Sequence, residues 1–286
     1  MWLIIGYIVQ CVCIFGAYAA HGGHLAVLWQ PSEIVIIFGG AFGALIVGFG
    51  GNTLKALLKA IPSLFTGDRY NKAFYMELFA LLFELLSKVR KEGLMSIEGD
   101  VEEPHASPIF SKYYSVGKDH HVVEFITDYL RLMVGGNLNA FEIENLMDVE
   151  IDTHHHEAEQ PASGIASLAD GLPAFGIVAA VMGVVHTMGS LHLPPSELGK
   201  LIGAALVGTF MGILLAYGFV GPVGKILGGR AESATRVFQT IKVTLLASLN
   251  GYAPQVAVEF GRKALNSTER PSFAELETYV KEAKNR

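Results

Sequence analysis

Long apolar runs alternate along this chain with stretches in which apolar positions recur every three to four residues. Residues 1–32, 34–54, 171–196 and 201–224 contain no Asp, Glu, Lys or Arg. A helix needs about 20 apolar residues to cross a bilayer. The pattern therefore predicts four spans: Trp2–Ala20, Ile34–Leu54, Gly171–Leu193 and Leu201–Gly224. Short connections, His21–Glu33 and Pro194–Lys200, join them in pairs. The chain divides accordingly into 1–54 (spans one and two), 55–170 (a large loop), 171–224 (spans three and four) and 225–286 (a tail).

The loop and tail read as helical. In Asn71–Glu92 the residues Phe74, Leu78, Leu81, Leu82, Leu85 and Val89 form an apolar stripe, with Glu84 and Lys88 as an i, i+4 pair on the other side. Gly93 is placed to stop that helix, with Arg90 and Lys91 in its last turn, where cations suit the helix dipole. Ser96–Ser107 is polar. Further helices are predicted at about His120–Val134 and Ala140–Glu159, separated by Gly135-Gly136, and at Ala231–Leu249, ended by Asn250-Gly251. Ser272-x-x-Glu275 is a capping box for a last short helix. No strand pattern is present, so the fold class is an all-α integral membrane protein with four transmembrane helices, a large helical cytoplasmic loop and a helical cytoplasmic tail.

Composition sharpens this picture. Hydrophobic residues make up 51% and charged residues 17%, against about 25% charged in soluble domains; mean hydropathy is +0.40. A simple soluble enzyme and a disordered chain are excluded. A net charge of −6 without a basic run excludes nucleic acid as a partner. Lys55 and Lys59 follow the second span, Lys225 and Arg230 follow the fourth, and the short connections hold only Lys200. The basic side is cytoplasmic, which places both termini and the loop inside. Ala17-Tyr18-Ala19 resembles a signal-peptide cleavage site, but no basic residue precedes Lys55, so the first span reads as a retained helix. Cys11 and Cys13 lie within that span as small apolar residues rather than a disulfide.

Candidate chemistry is sparse. His154-His155-His156 invites a metal, but adjacent helical residues point about 100° apart and do not converge on one ion; a solvated helix or linker is the plainer reading. No phosphate-cradling glycine loop, nucleophile elbow or paired-cysteine motif occurs, so neither a catalytic residue nor a metal site is expected. Ion-moving proteins place ionisable groups inside the membrane. Within the spans His186 alone qualifies, so a carboxylate that carries ions is expected from a partner. Pro173 opens the third span and Pro222 closes the fourth, either as ordinary helix-end prolines or as a hinge pair. Ala180 and Thr209 fall near mid-span. Gly39, Gly40, Gly43 and Ala44, and again Gly208 and Gly212, permit close helix approach, within the chain or between copies.

Leu172–His186, Val207–Phe219, Asp128–Leu132, Phe141–Glu144, Leu249–Pro254 and Val258–Lys263, together with the four-span layout, resemble the MotA branch of the MotA/TolQ/ExbB proton-channel family. The resemblance runs essentially end to end. It implies a flagellar-motor stator subunit of the bacterial inner membrane. Such subunits assemble as a ring, pentameric in the family, around two copies of MotB, whose transmembrane aspartate binds the coupling ion. It further implies that Arg90 and Glu98 face charged residues of the rotor protein FliG, where a local surface ion pair is the alternative. Pro173 and Pro222 match the prolines that couple ion flow to movement, and Thr209 matches the pore-lining hydroxyl. Sodium-type relatives carry a second threonine where this chain has Ala180, which favours H+ over Na+ as the coupling ion and leaves no other cofactor. The rivals are an ExbB/TolQ-like energiser without rotor contact, whose relatives have three spans, and a non-conducting scaffold.

Overall fold

The computed structural model describes residues 2–136 and 138–284. Among them no strand occurs. Helix α1 covers Trp2–Ala20 and contains a π-helical turn, Val12–Gly16. Helix α2 is Pro31–Ala60, α3 Lys72–Glu92, α4 His120–Gly135 and α5 Ala140–Met188. Helix α6, Pro195–Leu249, contains a π-helical stretch, Leu214–Val220. Helices α7, Pro254–Ala264, and α8, Phe273–Lys284, follow. Helices α1, α2, α5 and α6 are long and apolar enough to cross a membrane. The chain forms two compact units, residues 1–67 with 159–229, and residues 68–158 with 230–286.

The first unit holds the spans. On α2 the residues Glu33, Ile37, Ala41 and Leu45 recur every fourth position and are all buried. Val35 and Val47, on other faces, are 71% and 87% exposed, as suits side chains that lipid tails solvate. The buried stripe packs on α5, where Gly164 meets Leu45 and Gly171 meets Ala41. Helices α5 and α6 approach to backbone contact. A methyl group on Gly176 would lie 2.9 Å from the Gly208 carbonyl, and one on Gly212 would lie 2.7 Å from the Leu172 carbonyl. This is the small-residue packing that substitutes for a hydrophobic drive between helices in lipid. Gly208 and Gly212 thus serve contacts within the chain, whereas Gly39 and Gly43 have no atom within 4 Å.

The second unit has a conventional apolar core. The α3 stripe is confirmed: Phe74, Leu78, Leu81, Leu82 and Leu85 are buried, and Val89 is half-buried. They pack with Phe125, Ile126, Tyr129 and Leu130 of α4 and with Val237, Ile241 and Leu245 of α6. Asn71 caps α3 through hydrogen bonds from the Ala73 and Phe74 amides, and Gly93 ends it at φ 87°. Ser272 and Glu275 form the expected reciprocal capping box.

Several expectations are corrected. Helix α2 begins at Pro31, so the second span takes in Glu33 and kinks at Gly50, whose φ of 68° suits only glycine. The expected separate helix at Ala140–Glu159 and the third span are one helix that passes through Pro161 and Pro173 and ends at Met188 rather than Leu193. Pro173 therefore lies inside a helix and does not open one. Similarly, α6 starts at Pro195 and runs on past Pro222 through the segment expected to begin at Ala231. Hydropathy marks where charge begins, whereas the helix ends where its hydrogen bonds do. The Glu84–Lys88 pair is absent among the described residues: Glu84 accepts from Lys112 at 2.6 Å and Lys88 donates to Asp100 at 2.8 Å.

Candidate functional site

Ala180 and Thr209 lie at the level where α5 and α6 cross. A methyl group on Gly208 would lie 3.2 Å from both the Ala179 Cβ and the Ala180 amide nitrogen, so the two helices touch at this level. Ala180 and Thr209 are half-buried. The other threonines of these helices, Thr153, Thr187, Thr235, Thr240 and Thr244, donate to the carbonyl one turn earlier. Thr209 makes no such bond among the described residues, which leaves its hydroxyl available. Ala180 offers no second oxygen beside it.

The same crossing holds a residue that span-reading missed. Glu33 is 8% exposed, and its Oε2 has no hydrogen-bond partner among the described residues. That oxygen lies 2.9 Å from where a Gly208 methyl would sit. Glu33 stands one residue before the span drawn from hydropathy, on the same helix. A span boundary drawn at the last charge excluded Glu33 by construction. The signal that would have found it is Pro31, a preferred first helical residue, which starts the helix early and sets Glu33 on the Ile37–Ala41–Leu45 stripe.

Pro173 lies inside α5, and Pro222 follows irregular backbone in α6. Proline has no amide hydrogen and takes away the helical partner of the carbonyl four residues earlier. Between Thr209 and Pro222 lies the π-helical stretch Leu214–Val220, a feature often found at functional sites. Tyr7 of α1 braces it: its hydroxyl donates to the Phe219 carbonyl at 2.6 Å and the two rings lie 5.1 Å apart. Ala216, within the stretch, is buried in one cluster with Leu172 and Ala179 of α5. His186, the other candidate within the membrane, is exposed.

In the second unit, Arg90 occupies the last turn of α3 and Glu98 opens the short helix Glu98–Glu102. Both are exposed, and neither forms an ion pair or side-chain hydrogen bond among the described residues. The local surface pair weighed for them is not found. Beneath them Asp100, buried, takes a hydrogen bond from the Ser107 hydroxyl at 2.6 Å as well as from Lys88.

The three histidines engage different neighbours. The His154 ring lies 4.4 Å from that of Phe238 and 6.0 Å from that of His121. His155 Nδ1 shares a hydrogen with the Thr235 hydroxyl at 2.9 Å, and His156 faces Asp152. Only His156 matches the expected solvated face. Burial pushes the His154 pKa down, and neighbouring His121 adds to the effect.

The comparisons agree along the whole chain. The family model described as motility protein A N-terminal matches residues 4–93, and that of the MotA/TolQ/ExbB proton channel family matches residues 118–240. Motility protein A of Salmonella typhimurium is 53% identical over 285 residues, covering 100% of this chain and 97% of its own. Motility protein A of Escherichia coli gives the same identity and coverage. Chemotaxis protein LafT of Vibrio parahaemolyticus is 35% identical, over 99% of each chain. The fold matches the structure of C. jejuni MotAB at a TM-score of 0.77 and 20% identity, covering 94% of this chain and 98% of that one. It matches the MotAB stator complex of Bacillus subtilis at 0.75 and 22%, with the same coverage. With 53% identity from end to end, this multi-pass chain belongs to the motility protein A family.

Proposed function

We propose that this chain, a stator subunit of the bacterial flagellar motor, turns proton flow into torque with MotB, in the inner membrane with both termini cytoplasmic. MotB supplies the aspartate that binds the proton and the anchor. Copies of the chain form a ring, with five members around a MotB pair, and Arg90 and Glu98 engage FliG on the rotor. Thr209 lines the path. The irregular backbone between Thr209 and Pro222, with Pro173 on the facing helix, lets proton binding change the helix arrangement. Sodium needs several oxygen ligands in place of its hydration shell, whereas a proton needs one titratable group and water. Ala180 beside Thr209 suits the proton.

The observation that carries this reading is the 53% end-to-end identity to motility protein A, to which Arg90 and Glu98 add exposed charges that are unpaired among the described residues. One charge crossing 100 mV releases about 2.3 kcal/mol. That energy does not strip a deep apolar interface from a rotor, but it exceeds exposed charge pairs worth about 0–1 kcal/mol each. Exchange of such pairs is therefore driven at every step. The test is swimming of a stator-less flagellated strain that expresses this chain with its MotB. Swimming that ignores sodium and stops with a protonophore is expected. Dependence on sodium overturns the argument from Ala180, and no rescue despite full membrane expression returns the rotor-free energiser.

A further inference from the structure

Glu33 is a buried carboxyl that the stator reading leaves without a task. It stands in the first turn of α2, at the end away from Lys55 and Lys59, and its Oε2 is closed in by Gly208 without a hydrogen-bond partner among the described residues. Carboxylates are almost never this buried unless paired. No Asp, Glu, Lys, Arg or His occurs in α5 between Asp170 and His186, nor in α6 between Lys200 and Lys225, so the helices packed against it bring no counter-charge. A carboxyl buried without a counter-charge is suited to take up and give back a proton. Gly208, which closes it in, precedes Thr209 on α6.

We propose that Glu33 is a proton-relay site that this chain itself contributes to the outer half of the ion path, upstream of the MotB carboxylate; this rests on the proton-stator reading above. A hydronium entering from outside gives its proton to Oε2 and leaves as water. The resulting acid passes that proton to a water leading toward Thr209 and is again a carboxylate. The space that a Gly208 side chain would take is filled by the Glu33 carboxyl together with the Ala179 Cβ and the Ala180 amide.

The experiment uses the complete complex, co-expressed with its MotB and reconstituted in vesicles, with proton uptake read by an internal pH-sensitive dye under an imposed potential. Glu33→Gln keeps the shape and cannot titrate. It is expected to lower uptake by at least about tenfold at unchanged complex yield. Glu33→Asp is expected to retain most uptake, with a displaced dependence on external pH. Uptake through Glu33→Gln equal to the parent overturns the relay. So does loss in Glu33→Ala with full uptake in Glu33→Gln, because the role is then packing. A parent complex that passes no protons overturns the proton reading instead, and the two failures are thereby distinguished.

Discussion

Lys88 donates a hydrogen bond to Asp100 across 2.8 Å and so ties α3, two residues before Arg90, to the turn that carries Glu98 two residues before Asp100. Asp100 is only 6% exposed and Lys88 32%. The clamp fixes the spacing between Arg90 and Glu98 without using either. Lys88→Met leaves a buried carboxylate with Ser107 alone, which is expected to cost about 2 kcal/mol. Torque should fall while Arg90 and Glu98 remain chemically intact. Thermal unfolding of the purified chain in detergent, set beside the speed of tethered cells, checks both halves. A normal melting curve with normal speed would show that the clamp is idle.

Arg90 and Glu98 themselves should behave in the opposite way. Both are exposed and unpaired among the described residues, and changes at such positions usually alter stability by less than about 0.5 kcal/mol. Arg90→Glu and Glu98→Lys are therefore expected to leave membrane insertion and melting unchanged while sharply reducing torque. Normal swimming of Arg90→Glu removes that residue from the rotor interface.

The glycine pattern separates into two sets with different expected outcomes. A methyl on Gly212 meets the Leu172 carbonyl at 2.7 Å and Gly176 Cα at 3.0 Å, both backbone atoms that cannot swing aside. Gly212→Val is expected to destabilise the α5–α6 crossing by about 3 kcal/mol and to lower the yield of folded protein in membranes. Gly39→Ala and Gly43→Ala meet nothing within the chain and should leave that yield as it is. Equal yields for all three variants would contradict the backbone contact.

These contrasts show what the sequence makes legible. The apolar runs locate all four spans, since charge is excluded from hydrocarbon wherever in the chain it falls. The α3 stripe, the Gly93 stop and the Ser272–Glu275 box are local in sequence and so are visible in it. Lys88 is different. Spacing points it to Glu84 one turn away, and only the fold of the turns after Gly93 brings Asp100 to it instead. Whether Gly43 or Gly212 packs within the chain is equally unreadable, because identical spacing serves both. Glu33 lies between these cases. Its place on the Ile37–Ala41–Leu45 stripe is written in the sequence, but a boundary set by charge discards it. The roles of Arg90, Glu98, Pro173, Ala180, Thr209 and Pro222 rest on family likeness, because exposure or a missing hydroxyl names no partner.

His154 makes the second unit sensitive to acid. Its ring is packed on Phe238 beside His121, and its Nδ1 is buried without a hydrogen-bond partner among the described residues. Burial, then His121, pushes its pKa below the ordinary histidine value, against smaller opposing effects of Glu157 and Asp119. The unfolded chain therefore binds a proton at a higher pH than the folded one does. Stability is fully present above the unfolded value of about 6.5 and declines as pH falls below it, until the folded ring itself is protonated. Unfolding followed across that range should show the decline, and His154→Leu, which keeps an apolar contact with Phe238 and removes the titrating ring, should flatten it. A slope that survives His154→Leu unchanged assigns the acid sensitivity to other groups.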